Sequence, residues 1–317
     1  MTSWSETLQR KWDGVLLRGL NLASQLSRRR FVPNSVLLMS YPRSGSSWVG
    51  KVLATSEQFA YLREPVTQPY LKVHRGVHAL VDPKSDPYTL RVYSRLAEQA
   101  FSGVPSTHYG VVDNKKDFWP FFYSTAADTL LIKEVNPRAI PLFCENYQPF
   151  VILLMRHPAA VALSFSQKGW LEKSDAQASN DLNLHLDKWG KFGFAYGECL
   201  YRGQSYLDRY PAHCIVRYED LAFQPERQFM QLFETIGVNP PANYHEVIKR
   251  YCFGSMSMES SYLTQRNSRQ TAGKWKQQLS QSQLDSLKEG YFLSSLKMYR
   301  EPQEWQLEPG KYATPLG

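Results

Sequence analysis

Four short runs of apolar residues stand out along the chain, Val36–Tyr41, Thr129–Val135, Phe150–Met155 and His213–Tyr218. Each is strand-length and nearly uninterrupted, the pattern of a strand covered on both faces. Between and after them the apolar period changes to that of a helix. Phe229, Leu232, Phe233 and Ile236 fall at i, i+3, i+4 and i+7 behind Pro225, and Gly237 marks the stop. A second helix is predicted from Ser280, whose spacing to Gln283 fits a capping box. Strands alternating with helices predict an α/β fold, a three-layer α/β/α sandwich around a central parallel sheet. A ligand is then expected beyond the carboxyl ends of the strands.

With 317 residues and no internal repeat or low-complexity tract, the expectation is one domain over residues 31–300. Residues 1–30 read as a helical extension, whose Trp12, Leu16, Leu20 and Ala23 form an apolar face for docking on the domain or for touching a membrane, docking being the more ordinary outcome. Residues 301–317 read as a tail. No apolar run approaches the length of a spanning helix, and the start lacks the apolar block of a secretory signal. A soluble, cytoplasmic protein is expected. Cys144, Cys199, Cys214 and Cys252 show no metal spacing and read as reduced thiols. His74 and His78 are four apart, but nothing nearby completes a metal set, and no metal is expected.

The net charge of +8 favours anionic partners. Arg28, Arg29 and Arg30 are the one tight basic run, and no basic–aromatic stripe of the kind that binds nucleic acid accompanies them. The candidate anion site is "LLMSYPRSGSSWVG", Leu37 to Gly50, a strand, a polar turn and the start of a helix. Backbone N–H groups of Ser44, Gly45, Ser46 and Ser47 can turn inward while the new helix aims its positive end at the same spot. Arg43 adds a permanent charge. The lysine–serine ending of a magnesium-dependent nucleotide loop is missing. The same arrangement also occurs without a ligand.

The stretch Y-P-R-S-G-S-S-W-V resembles the 5′-phosphosulfate loop of sulfotransferases, commonly Y-P-K-S-G-T-T-W. The resemblance implies that Arg43 through Ser47 bind the 5′-phosphosulfate of 3′-phosphoadenosine 5′-phosphosulfate (PAPS), the co-substrate, and that Trp48 stacks near adenine. Arg43 replaces the usual lysine, keeping the charge and gaining a two-pronged grip. "VILLMRHPAAVALSF" is similar to the family's 3′-phosphate motif, R-x-P-x-x-x-x-x-S, with Arg156 at a strand end and Ser164 on the next helix. "RYEDL" matches a strand-end motif whose tyrosine, here Tyr218, contacts adenine, and "CFGSM" offers Phe253 as a stacking ring. "SRQTAGKWK" resembles the loop R-K-G-x-x-G-D-W-K that closes over the 3′-phosphate. Arg269 stands at its lysine, Gly273 at its second glycine and Trp275 at its tryptophan. Ser268 and Gln270 depart from the pattern, and Arg266 is placed to compensate for the arginine lost at Ser268.

For catalysis, Lys133 in "LLIKEV" matches the family's strand-end lysine, while the histidine base of cytosolic members falls at Val135. Glu64 in "FAYLREP" matches the carboxylate base of the carbohydrate and tyrosylprotein branches. The resemblance thus implies Glu64 as base, Lys133 on the bridging oxygen and Arg43 on the sulfuryl oxygens. His108 is the rival base, and a surface carboxylate paired with Arg63 or another cation is the plainer account of Glu64. The expected reaction is in-line sulfuryl transfer to a hydroxyl, or an amine, of a carbohydrate or other small alcohol, releasing 3′,5′-adenosine bisphosphate. The least matched stretches, Val66–Asp128 and Gln167–Tyr210, including the aromatic "DFWPFFYS", are expected to shape the acceptor pocket. A nucleotide or sugar kinase of the same fold and a non-catalytic bisphosphate-binding module remain as alternatives.

Overall fold

The computed structural model describes residues 34–74, 81–106, 111–112, 127–173, 185–253 and 267–307. The expected N-terminal extension, His78, His108, "DFWPFFYS" and Arg266 lie outside them.

Five parallel strands form the central sheet: β1 (Asn34–Ser40), β2 (Phe59–Arg63), β3 (Thr129–Glu134), β4 (Phe150–Met155) and β5 (His213–Arg217). Their order across the sheet is β2-β3-β1-β4-β5. Leu38 faces Lys133 on one side and Ile152 on the other, so the three central strands end together. The four predicted strands are present within a residue or two of their expected ends. β2 is an addition to that set. The expectation that β5 is covered on both faces needs correction: all five of its residues are half-buried, whereas β2 at the other edge is buried up to Arg63.

Strand alternation divides the core into two. Leu37, Met39, Leu130, Ile132, Val151 and Leu153 point to one face, and Val36, Leu38, Leu131, Ile152 and Leu154 to the other. The first face is covered by α3 (Pro87–Phe101), α4 (Ile140–Tyr147), α6 (Lys188–Leu207) and α12 (Gln281–Leu293). The second is covered by α1 (Ser46–Leu53), α7 (Tyr218–Phe223), α8 (Pro225–Ile236) and α9 (Tyr244–Cys252). The expected three layers result.

Shorter helices complete the described chain. These are α2 (Thr67–His74) and α5 (Pro158–Ser166) after β2 and β4, and α10 (Ser268–Gly273) and α11 (Trp275–Gln278) before α12. α6 starts at Asp187, whose carboxylate accepts the N–H groups of Trp189 and Gly190 at 2.9 Å each. It lies directly against α12. A Cβ at Gly290 would come within 1.8 Å of the Gly190 carbonyl oxygen, so the two helices touch backbone to backbone. α8 ends at Gly237, in the left-handed region at φ 68°, and Ser280 and Gln283 form the expected capping box of α12.

Candidate active site

β1 delivers the chain to the middle of the sheet's carboxyl edge, where it makes two left-handed residues in quick succession, Arg43 at φ 68° and Gly45 at φ 92°. Gly45 is required there twice over. Its φ is one that side chains disfavour, and a Cβ would lie 2.5 Å from the ring of Tyr218. Gly45 is also the N-cap of α1, so no side chain caps that helix. A helix start without a side-chain cap can receive an anion on its first N–H groups. Ser40, at the end of β1, donates its hydroxyl to Ser46 at 2.7 Å and fixes the loop from below. Ser44 and Ser46 are buried, and Ser47 is half-buried.

The two blocks expected to hold opposite ends of one nucleotide are joined. Arg43 Nε donates to Ser164 Oγ on α5 at 2.9 Å. Arg156, at the end of β4, donates through Nη1 to the Arg43 carbonyl at 3.1 Å and through Nη2 to the Thr271 carbonyl at 2.9 Å. Its guanidinium lies 4.3 Å above the ring of Tyr218. Its Nε is buried and without a hydrogen-bond partner. A buried cationic donor left unpaired is costly, and an anionic group at this point would relieve it.

His157 locks the strand end in place. Its ring stacks flat on Trp275 with centroids 4.6 Å apart, and Nδ1 accepts the Ala159 N–H at 3.2 Å as the N-cap of α5. Its own N–H donates to Glu219 at 3.0 Å, and Glu219 also accepts the Tyr299 hydroxyl at 2.6 Å. Burial, with the charges of Lys276, Arg217 and Arg156, pushes the imidazole pKa down to about 3, so it is neutral. None of this was read from the sequence, although the position between Arg156 and Pro158 is where a helix cap belongs.

The catalytic candidates meet on the other side of the loop. Lys133, at 2% side-chain exposure, forms a hydrogen-bonded ion pair with Glu64, which is 29% exposed. Arg63 and Lys133 are register partners of β2 and β3, so the residue following Arg63 falls beside Lys133. Glu64 itself is left-handed at φ 51°, and its N–H donates to the Lys133 carbonyl at 2.6 Å. Burial alone would raise the Glu64 pKa. The Lys133 ammonium and its hydrogen bond, then Arg63 and Arg43, reverse that and hold it below the usual value. Arg43 therefore acts electrostatically on Glu64 while bonding Ser164.

The remaining candidates are placed as follows. Trp48 is buried, edge-on to Tyr218 and Phe229, with its Nε1 donating to the Tyr251 carbonyl at 3.0 Å. Phe253 is exposed, and its backbone pairs with Asn267. Arg269 is exposed and donates to the Phe223 carbonyl at 2.8 Å, so its side chain points along α7. Space around Gly273 is open. Ser268, in place of an expected arginine, is buried and donates to the carbonyls of Ala222 and Cys252. It fastens α10 to α7 and α9. Arg156 reaches this loop through the backbone at Thr271, a contact that residue types alone do not announce.

A left-handed loop, a helix without a side-chain cap and three cations meet at the carboxyl edge of a parallel sheet, a setting suited to an anionic ligand. The chain belongs to the family described as "Sulfotransferase domain", which matches residues 33–300. It is thus a transferase that moves sulfuryl groups. Among solved structures it is similar to the sulfotransferase domain from the curacin biosynthetic pathway. That match has 17% identity and a TM-score of 0.47, covering 84% of this chain and 99% of that one. The sulfotransferase domain of the Synechococcus PCC 7002 olefin synthase matches with 19% identity and a TM-score of 0.47, over 83% and 96%. A mouse sulfotransferase complexed with PAP matches with 11% identity and a TM-score of 0.45, over 91% of each chain. No curated protein matches the sequence. Among the described residues, no helix is long and apolar enough to cross a membrane, and no three metal-ligating side chains cluster.

Proposed function

We propose that the protein transfers the sulfuryl group of PAPS to a hydroxyl of a carbohydrate or another small alcohol, without a metal. The observation that carries this reading is the Lys133–Glu64 pair beside a loop whose arginine already contacts the 3′-phosphate candidates. Arg43 to Ser47 would hold the 5′-phosphosulfate, and Arg156 and Ser164 the 3′-phosphate. Tyr218 would border the adenine, and Arg269, Gly273 and the nearby Arg266 would close over the nucleotide.

In the resting pair, Lys133 keeps Glu64 ionised. When Lys133 turns to the bridging oxygen of the donor, Glu64 loses its counter-charge and burial makes it a stronger base. The acceptor oxygen then attacks sulfur while its proton passes to Glu64. The bond from sulfur to the bridging oxygen breaks, and that oxygen leaves with the electron pair, stabilised by Lys133.

The test is a broad acceptor screen with labelled PAPS, run on the wild type and on Glu64→Gln. Transfer to a hydroxyl acceptor that drops about 10²–10⁴-fold in the variant supports the reading. Residual activity above about a tenth of wild type moves the base to His108. Binding of adenosine bisphosphate with no transfer to any acceptor would favour a binding module.

A further inference from the structure

Glu134 follows Lys133 in β3 and points to the opposite face of the sheet, where it is wholly buried. Its Oε1 accepts the N–H groups of Val66 at 2.7 Å and Thr67 at 3.2 Å. Its Oε2 takes longer bonds from Thr67 and Val135, both at 3.4 Å. Val66 and Thr67 lead into α2 with one residue between them and Glu64, whose own carbonyl accepts the Gln68 N–H at 3.0 Å. The turn that carries Glu64 is therefore held by two successive residues of β3, through the Lys133 carbonyl and the Glu134 carboxylate. A left-handed glutamate is strained and persists where its surroundings over-determine it. Here those surroundings are the Lys133 carbonyl and the Glu134 carboxylate.

We propose that Glu134 is a positioning residue for sulfuryl transfer, its carboxylate pinning residues 66 and 67 so that Glu64 is presented to Lys133 and to the acceptor. This rests on the reading of Glu64 as the base. The side chain faces the Thr67 hydroxyl from α2 and the Tyr93 phenol from α3, which Thr67 and Asn136 each contact at 3.3 Å. The charge that acts on it is that of Glu64, just after β2, and the neighbouring β1 residue in register is the apolar Met39. Burial pushes the Glu134 pKa up to about 7, the bonds from Thr67 and Val66 pull against it, and the charge of Glu64 adds to the rise. Protonation occupies one carboxyl oxygen and weakens the hold on Thr67 and Val135. It also removes a negative charge that keeps Glu64 basic. Turnover should therefore fall as pH drops through neutrality, although Glu64 by itself is held low.

The experiment measures kcat and the KM for PAPS across pH for wild type, Glu134→Gln, Glu134→Asp and Glu64→Gln. The amide of Glu134→Gln must turn a donor towards an N–H or give up an acceptor, and Glu134→Asp keeps the charge but falls short. Both should lower kcat about ten- to hundredfold with little change in KM for PAPS. In Glu134→Gln the acid limb near neutral pH should vanish. Wild-type kcat and an unshifted acid limb in Glu134→Gln, beside an inactive Glu64→Gln, would overturn this inference alone. Wild-type activity in Glu64→Gln would overturn the base reading whatever Glu134 does. Amide exchange on the wild type needs no variant. Opening that frees the backbone N–H groups but leaves Glu134 buried loses the bonds that hold its pKa down, so protection at Thr67, corrected for intrinsic rate, should drop between about pH 8 and about pH 6, and flat protection contradicts the proposal.

Discussion

At Gly45 two constraints coincide, a φ of 92° and the Tyr218 ring 2.5 Å from any added Cβ. Gly45→Ala should therefore both destabilise the fold, by about 1–2 kcal/mol from the backbone alone, and weaken binding of adenosine bisphosphate. Gly237→Ala is the control, since its φ is also positive but nothing lies within 4 Å of the new methyl. It should lower thermal stability and leave nucleotide binding unchanged, as calorimetry of both variants would show. Lys133→Ala should lower kcat about 10²–10³-fold. Because the pair holds the Glu64 pKa down against burial, losing Lys133 should let that pKa rise above its ordinary value. Titration of Glu64 by carboxyl-carbon NMR would detect the reversal.

Among the elements, those with an unbroken pattern were legible in the sequence. β4 is apolar throughout, β1 and β3 each carry a central apolar run, Val36–Met39 and Leu130–Ile132, α8 has its period and its terminal glycine, and α12 has its capping box. β2 was not recognised as a strand, because five residues closing in Arg-Glu-Pro carry too little pattern. That omission had a consequence, since the register of β2 on β3 is what places Glu64 beside Lys133. Arg43 and Arg156 were legible because each sits at a strand–helix junction, and Ser164 because the motif spacing puts it on the helix that follows Arg156. Glu134 was not, because its partners are backbone N–H groups that have no residue type. His157 and Thr271 were hidden for related reasons, one by stacking across long sequence separations and one by contact through a carbonyl. The cap of α12 offers a test confined to one element. Ser280→Ala should lower stability by about 1 kcal/mol in denaturant unfolding and leave sulfuryl transfer intact.

For the whole molecule, buried titratable groups set the dependence of stability on pH. His157 has a folded pKa near 3, far below that of an exposed imidazole. Its contribution is complete above the unfolded value of about 6.5 and is lost as pH falls towards the folded value. Between those limits the unfolded chain binds the proton and the folded one does not. Thermal melts should thus show the advantage of wild type over His157→Asn shrinking as pH is lowered from about 7 to about 4. Glu134 has the opposite sign. Its raised pKa contributes stability below about 4.5 that is lost as pH rises through about 7.

At the same scale, the sheet's carboxyl edge gathers Arg43, Arg156 and Lys133 from three adjacent central strands and their loops, and the account assigns them to one doubly phosphorylated nucleotide. Calorimetric titration of adenosine 3′,5′-bisphosphate with a chelator present tests this most directly. A single saturable site per chain is predicted, weakened separately by Arg43→Ala and by Arg156→Ala, with ATP–magnesium binding more weakly. No binding without a divalent metal, or indifference to both arginine substitutions, would contradict it.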